Sequence, residues 1–232
     1  ISGRIPEVLS SYFLPGDPSG LPKHDEFDAI AIGPGMGNSS ATMKIVSYIL
    51  QNWNIPLVLD ADALNVLHDP VSQLSKYKGS LLLTPHPGEL SRMIKCDASN
   101  IDSRSKAAAK LAASSGAAVL LKGKPSMVFN PDGECCLIPT GNSGLATGGS
   151  GDVLTGITSS LMAQGLKPFE AAMLGAYVHG LSADIAVENF SERSLIPSDV
   201  ISCMGSAFHT IENGCHSELL TPGGKWRREY AY

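Results

Sequence analysis

The sequence lacks any apolar run long enough to cross a membrane, since "AVLL" and "SLLLT" are far shorter than the roughly 20 residues that a spanning helix needs. It also lacks an excess of basic residues, with 17 Lys and Arg against 22 Asp and Glu and a net charge of −5. A broad positive face for nucleic acid or an anionic membrane is therefore not expected. The first residues lack the layout of a signal peptide. We expect a cytoplasmic protein without nucleic-acid or membrane partners.

The sequence has few cysteines, and their spacing does not suggest a metal site. There are five, at Cys96, Cys135, Cys136, Cys203 and Cys215. They form no CxxC pair and no Cys/His arrangement of the kind that binds zinc. We interpret them as thiols of a reducing compartment, and we expect no metal ion bound directly by protein side chains.

Two familiar phosphate-binding motifs, Walker A and GxGxxG, are missing, but the chain alternates strand-like and helical segments. Apolar strand-like runs occupy 27–33, 55–62, 79–86 and 117–123, and helical patterns occupy 39–53, 86–94 and 103–116. Residues 126–139 then indicate a hairpin, and 152–164, 168–189 and 197–212 indicate helices. The alternation predicts one α/β domain over residues 1–232, with a mostly parallel sheet and helices on both faces.

Unusual residues follow the first two predicted strands. Because ligands of parallel sheets bind at the carboxyl ends of strands, these residues are site candidates. Gly33, Gly35 and Gly37 in "IGPGMG" would let a ligand approach the backbone, or they form a plain turn. Asp60 and Asp62 in "LDADALN" could hold Mg²⁺-associated phosphates, or Asp62 caps the next helix. Both interpretations stay open at each place.

The third and fourth predicted strands also end in polar residues. Two prolines flank His86 in "LTPHPGEL", which favours a ligand contact for its imidazole, and Glu89 lies at the start of the following helix. In "LLKGKPSMV", Lys122 and Lys124 could neutralise phosphate charge or belong to a solvated turn.

The segment "GNSGLATGGSGDVLTGI" carries the most specific pattern. Gly148, Gly149 and Gly151 would expose backbone amides at the start of a helix, where the helix dipole favours an anion. Asp152 lies in the first turn, either as a favourable charge on the dipole or as a base beside a bound phosphate. A dipole effect alone does not explain the glycines, so we favour a phosphoryl-transfer site.

These segments together resemble a known family. "IGPGMG", "LDADALN", "LTPHPGEL", "LLKGKPSMV", "GNSGLATGGSGDVLTGI" and "AYVHGLSADIA" occur in the order seen in the NAD(P)H-hydrate dehydratases, which are ribokinase-like cofactor-repair enzymes. The resemblance covers about residues 28–212, and "HPGE" is similar to the bacterial, ADP-dependent branch. It implies a three-layer ribokinase-like fold.

The resemblance also implies a lyase reaction. ADP or ATP, with Mg²⁺, would phosphorylate the ring hydroxyl of hydrated NADH or NADPH, and loss of phosphate would restore the reduced cofactor. By position, Asp152 would be the base and would contact the substrate. The nucleotide would contact Lys122, Gly123, Lys124, Pro125, Ser126, Gly148, Gly149 and Gly151. The hydrate would contact Gly35, Gly37 and His86, with Asp60, Asp62, Glu89 and Asn142 as secondary candidates.

Two other functions fit the same motifs. A ribokinase-like kinase for a vitamin precursor or sugar would use the glycines and Asp152 equally well. A nucleotide-binding protein without catalysis is the second alternative, because relatives usually begin with a further glycine-containing segment that we expect this chain to lack. The family resemblance favours a homo-oligomer, and the tail at 213–232 has no assigned role.

Overall fold

The computed structural model describes residues 16–189 and 191–214. These residues form a six-stranded sheet whose strands follow one another in chain order. The first four strands are parallel and the last two are antiparallel. The strands are β1 (Ile30–Ile32), β2 (Leu57–Leu59), β3 (Leu81–Leu83), β4 (Ala118–Leu121), β5 (Ser126–Phe129) and β6 (Cys135–Ile138). The predicted, mostly parallel sheet and its terminal hairpin are confirmed.

The helices are α1 (Ser40–Asn52), α2 (Ala61–Asn65), α3 (Pro70–Leu74), α4 (Pro87–Ile94), α5 (Ile101–Ser115), α6 (Ser150–Ala163), α7 (Pro168–Ala186) and α8 (Pro197–Glu212). Local signals fix several of their ends. The Ser39 hydroxyl accepts the Thr42 amide at the start of α1, and Gly116 ends α5 in the left-handed conformation. None of these helices combines the length and apolarity that are needed to cross a membrane.

The two faces of the sheet carry two separate apolar layers. Because side chains alternate along a strand, Leu57 and Leu59 pack on one face while Val58 packs on the other. Helices α1–α5, which connect successive parallel strands, pack on one face, and α6–α8 cover the other. The predicted three-layer arrangement is confirmed.

The element boundaries differ from the sequence prediction in three ways. Each parallel strand is only three or four residues long and is shorter than predicted at both ends. The short helices α2 and α3 were not predicted, since five residues are too few to establish a period. Helix α7 ends at Ala186 rather than at 189. Residues 1–15 and most of the tail, 215–232, lie outside the described residues.

Gly33 allows the loop after β1 to lie directly against the loop after β2. Its φ is +129°, and a Cβ at this position would lie 1.7 Å from the backbone oxygen of Asp60 and 3.0 Å from the Ala63 side chain. A backbone oxygen cannot withdraw as a flexible side-chain end could. Only glycine therefore permits this contact.

We predict that Gly33→Ala lowers the free energy of unfolding by more than about 3 kcal/mol, through steric overlap and backbone strain together. Gly116→Ala is the matched control, because Gly116 also has a positive φ, of +75°, but has open space around it. The free energy of unfolding of Gly116→Ala should fall by only about 1 kcal/mol. Denaturant unfolding of both variants measures the difference, and equal losses would contradict the packing argument.

Candidate functional site

A buried ion pair lies where the parallel strands end. Asp60 follows β2 and is 1% exposed, and Lys122 follows β4. Lys122 Nζ donates to Asp60 Oδ1 at 2.7 Å, and Thr155 Oγ1 on α6 donates to Asp60 Oδ2 at 2.7 Å. Glu89 Oε2 lies 3.8 Å from the same Lys122 nitrogen. Both oxygens of this buried carboxylate are therefore satisfied, and one ammonium is shared between two acids.

His86 and Glu89 build the start of α4. The His86 amide donates to Glu89 Oε2 at 2.8 Å, while His86 Nδ1 accepts from the amides of Gly88 and Glu89 at 3.0 and 3.4 Å. Since Nδ1 accepts, the neutral ring carries its proton on Nε2, which lies 3.3 Å from Glu89 Oε1. Burial is the main cause that lowers the pKa of His86; Glu89 opposes it and Lys122 adds to it. The ring is thus a fixed, half-exposed group that also caps a helix.

Asp62 holds the glycine loop rather than capping α2. Its Oδ2 accepts the Gly37 amide at 2.7 Å, whereas the N-cap residue of α2 is Asp60, which makes no side-chain cap bond. The capping interpretation of Asp62 is therefore wrong. Ala61, between the two acids, has a φ of +48°, a strained conformation of the kind that concentrates at functional sites. Gly35 and Gly37 also have positive φ and open space around them.

The start of α6 combines an open glycine backbone with one unpaired acid. Gly149 is the N-cap residue, with a φ of +88°, and a Cβ on Gly151 would lie 3.4 Å from Lys122 Nζ. Gly148 has open space beside it. Asp152 is exposed, and its carboxylate has no hydrogen bond or ion pair with any part of the chain that the structure describes. The helix dipole and the Lys122 ammonium together favour an anion at this point.

The turn between β4 and β5 carries the remaining nucleotide candidates. Ser126 Oγ donates to the Gly123 oxygen at 3.0 Å and accepts from the Gly123 amide at 3.3 Å, so it closes the turn. Lys124 is exposed, and its Nζ donates to the Gly141 oxygen at 3.1 Å. Pro125 lies between them. Of the two lysines, Lys122 is part of the buried cluster and Lys124 belongs to the solvated turn.

Asn142 anchors the glycine-rich segment to α7. Its Nδ2 donates to Asp184 Oδ1 at 2.9 Å, and its Oδ1 accepts from Gly144 at 3.0 Å. The Gly141 amide donates to Asp184 Oδ2 at 2.8 Å. Both ends of the Asn142 amide are therefore used inside the protein, and this geometry supports a structural role.

Sequence reasoning missed three residues beside the site. Thr155 and Asp184 bond predicted residues, and His179 lies 6% exposed with its Nε2 3.3 Å from Ser150 Oγ. "AYVHGLSADIA" contains two of them, but neither one histidine nor one acid on an apolar helix indicates a site. Burial lowers the pKa of His179 to about 4, and Lys122 adds to this effect.

The predicted residues thus form three neighbouring groups. Asp60, Lys122 and Gly151 meet directly, His86 and Glu89 border them, and Asp62, two residues after Asp60, holds Gly37. A cavity of about 350 Å³ beside α1 is lined by other residues, among them Met43 and Tyr48. We place the site at the strand ends because the charged groups converge there. No group of three potential metal-binding side chains occurs within residues 16–189 and 191–214.

We predict that Lys122→Met lowers the free energy of unfolding by about 3 kcal/mol, because it leaves a buried carboxylate without its cation. Lys124→Met removes an exposed lysine two residues away, and it should lower the free energy of unfolding by less than about 1 kcal/mol. Denaturant unfolding at neutral pH compares the two. Similar losses would contradict the importance of the buried pair.

His179 makes stability depend on pH. Its folded pKa of about 4 lies below the ordinary 6.5, so its stabilising contribution is complete above pH 6.5 and is lost as the pH falls towards 4. We expect this residue to account for about 2 kcal/mol of the stability lost between pH 7 and pH 5. His179→Gln should remove that part of the loss, whereas His209→Gln, at an exposed histidine, should retain it. Unfolding curves at both pH values provide the measurement.

Comparison with known proteins gives the same family that the motifs indicated. The sequence profile described as NAD(P)H-hydrate dehydratase matches residues 1–204. A bifunctional NAD(P)H-hydrate repair enzyme Nnr of Moorella thermoacetica is 41% identical over 210 residues, which cover 86% of this chain and 40% of that protein. An ADP-dependent (S)-NAD(P)H-hydrate dehydratase of Neisseria meningitidis is 42% identical over 173 residues, which cover 73% of this chain and 58% of that protein. The chain thus spans about half the length of these relatives.

Solved structures agree with the sequence relatives. The ADP/ATP-dependent NAD(P)H-hydrate dehydratase of Bacillus subtilis, co-crystallised with ATP/Mg²⁺ and soaked with CoA, superposes with a TM-score of 0.71 at 33% identity, covering 78% of this chain and 66% of that one. A ribokinase-like superfamily protein of Enterococcus faecalis gives a TM-score of 0.61 at 26% identity, covering 78% and 63%. The expected ribokinase-like fold is confirmed. The chain belongs to the NAD(P)H-hydrate dehydratase family.

Proposed function

We propose that this chain catalyses the nucleotide-dependent dehydration of hydrated NADH or NADPH, a cofactor-repair reaction. The observation that carries the proposal is the unpaired carboxylate of Asp152 in the first turn of α6, directly after Gly151, where a Cβ would lie 3.4 Å from Lys122 Nζ. A base beside an anion site is what phosphoryl transfer to a hydroxyl requires. The named activities of the relatives in Neisseria meningitidis and Bacillus subtilis support the choice of substrate.

In the first step, the ring hydroxyl of the hydrate attacks the terminal phosphorus of ADP or ATP. A new P–O bond forms, the bond to the bridging oxygen of the nucleotide breaks, and Asp152 takes the hydroxyl proton. Lys122 and the amides at the start of α6 offset the negative charge on the transferred group.

In the second step, the ring C–O bond breaks and phosphate leaves with the electron pair. The neighbouring ring carbon gives a proton to water, and the electron pair of that C–H bond restores the double bond of the reduced nicotinamide. Phosphorylation accelerates this step because phosphate is a far better leaving group than hydroxide.

The nucleotide and the hydrate are assigned to different residues of the site. The nucleotide would lie against the turn Lys122–Ser126, which includes Gly123, Lys124 and Pro125 and supplies two cations, and against the glycines at 148, 149 and 151, where the start of α6 favours phosphate. The hydrate would contact Gly35, Gly37 and His86, because the space beside both glycines is open and about half of the His86 side chain is exposed.

Mg²⁺ fits this site through water and nucleotide phosphates rather than through a set of protein ligands. Both oxygens of Asp60 and both oxygens of Glu89 are already engaged by neighbouring groups. Mg²⁺ usually keeps several waters and uses only one or two carboxylates, so these acids would hold its water shell. The ion would neutralise phosphate charge, and Asp152 would remain available to take the proton.

The proposed cytoplasmic location and homo-oligomeric state rest on the sequence and the family resemblance, and they stay predictions. The same holds for the proposal that residues 1–232 form one domain. The part of the tail at 213–214 follows α8 directly, and its remainder lies outside the described residues.

We predict that Asp152→Asn retains nucleotide binding but loses at least about 10²-fold in kcat, because the amide cannot accept the hydroxyl proton. Purified protein, hydrated NADH and ADP or ATP are mixed, and recovery is followed by the absorbance of the reduced nicotinamide. Calorimetry measures nucleotide binding separately.

Asp199→Asn is the matched control, since Asp199 occupies the same third position of α8 and only accepts the Ile196 amide there. It should retain wild-type turnover. Near-normal turnover of Asp152→Asn would overturn the role of this carboxylate. Accumulation of a phosphorylated product without release of phosphate would instead identify a kinase, and nucleotide binding without turnover by the wild type would identify a binding protein.

A further inference from the structure

We propose that Thr155 is a positioning residue for this reaction: its hydroxyl ties α6 to the Asp60–Lys122 ion pair and thereby fixes Asp152 relative to the Lys122 ammonium. The inference rests on the proposed function, because it assigns a catalytic consequence to a contact. Thr155 itself would touch neither substrate nor nucleotide. It would act through the orientation of the helix that carries the base.

The contact joins two layers of the fold. Thr155 is 2% exposed, and its Oγ1 donates to Asp60 Oδ2 at 2.7 Å across 95 residues of chain. Asp60 follows β2 in the sheet, whereas α6 belongs to the helical layer on one face. The other oxygen of the same carboxylate holds Lys122. One acid therefore fixes the base-bearing helix and the cation at once.

Asp152 and Thr155 lie three residues apart on α6 and so project from nearby positions on one side of the helix. Any rotation or shift of α6 that breaks the Thr155 bond also moves the Asp152 carboxylate. Among the described residues, no other side chain of α6 hydrogen-bonds to a strand or to the loop after one: Ser150 bonds His179 on α7, and Thr158 and Ser159 bond their own helix. A displacement of about 1 Å at reacting groups can cost roughly 10²-fold in rate.

Thr158 shows that the long-range bond is a specific feature of Thr155. Thr158 is also buried on α6, but its hydroxyl donates to the Leu154 and Thr155 oxygens of its own helix. Such bonding back to the helix is the usual solution for a buried threonine. Thr155 instead leaves its helix and bonds a carboxylate, so the two threonines form a natural matched pair.

The test replaces the hydroxyl by a methyl group of similar shape. Thr155→Val should lower kcat by about 10- to 100-fold, while the KM for ADP or ATP changes by less than about threefold. Thr155→Ser retains the hydroxyl and should restore most of the rate. Thr158→Val, the same substitution one turn later, should keep wild-type kcat. Loss of activity in Thr158→Val to the same degree would indicate only a structural effect and overturn the proposal.

A second measurement does not depend on turnover. Hydrogen exchange at the backbone amides of residues 153–156 should accelerate in Thr155→Val but not in Thr155→Ser, because the helix start loses its tie to the sheet. Unchanged exchange, or wild-type kcat in Thr155→Val, overturns the role of Thr155. If the wild-type protein restores no reduced cofactor with either nucleotide, the proposed function is overturned instead. The exchange data then still test whether the Thr155–Asp60 hydrogen bond holds the start of α6 in place.

Discussion

The carboxylate of Asp60 is a buried charge that must be paired, and the site is arranged around it. Burying an unpaired carboxylate is far more costly than burying one with good hydrogen-bond partners. Lys122 satisfies one oxygen and Thr155 satisfies the other. The end of β2, the end of β4 and the start of α6 are thereby held together at one point. The positions of the cation and of the helix that bears Asp152 both depend on this interaction.

The backbone around this cluster is shaped to admit close neighbours. Gly33 brings the loop after β1 onto the Asp60 oxygen, and Gly151 opens α6 above the Lys122 ammonium. Ala61 accepts a left-handed conformation between two acids that serve different partners. Asp62 then fixes the glycine loop through the Gly37 amide. Close packing at Gly33 and open space beside Gly35, Gly37 and Gly148 thus accompany a buried ion pair, and together they suit the binding of phosphate.

The charged groups fall into two kinds with different roles. Asp60, Glu89 and Lys122 are buried or partly buried and already paired, so they set the electrostatic environment. Asp152 is exposed and has no partner in the described parts of the chain, so it is available to take a proton. His86 lies between these cases, since its Nδ1 caps α4 while about half of its side chain remains exposed. The paired charges therefore hold the site in shape, whereas the unpaired Asp152 carboxylate is available for the reaction.

The sequence by itself determined the apolar strands, the longer helices, the glycine loops and the placement of Asp152 at a helix start. Those features follow from periodicity and turn chemistry within a few residues. Only the tertiary structure decided that Asp60 joins Lys122 to Thr155, that Asp62 binds Gly37, and that Asn142 is held by Asp184. These partners lie 25 to 95 residues apart. Their contacts depend on the order of strands in the sheet and on which helices cover each face, and local periodicity does not encode that order.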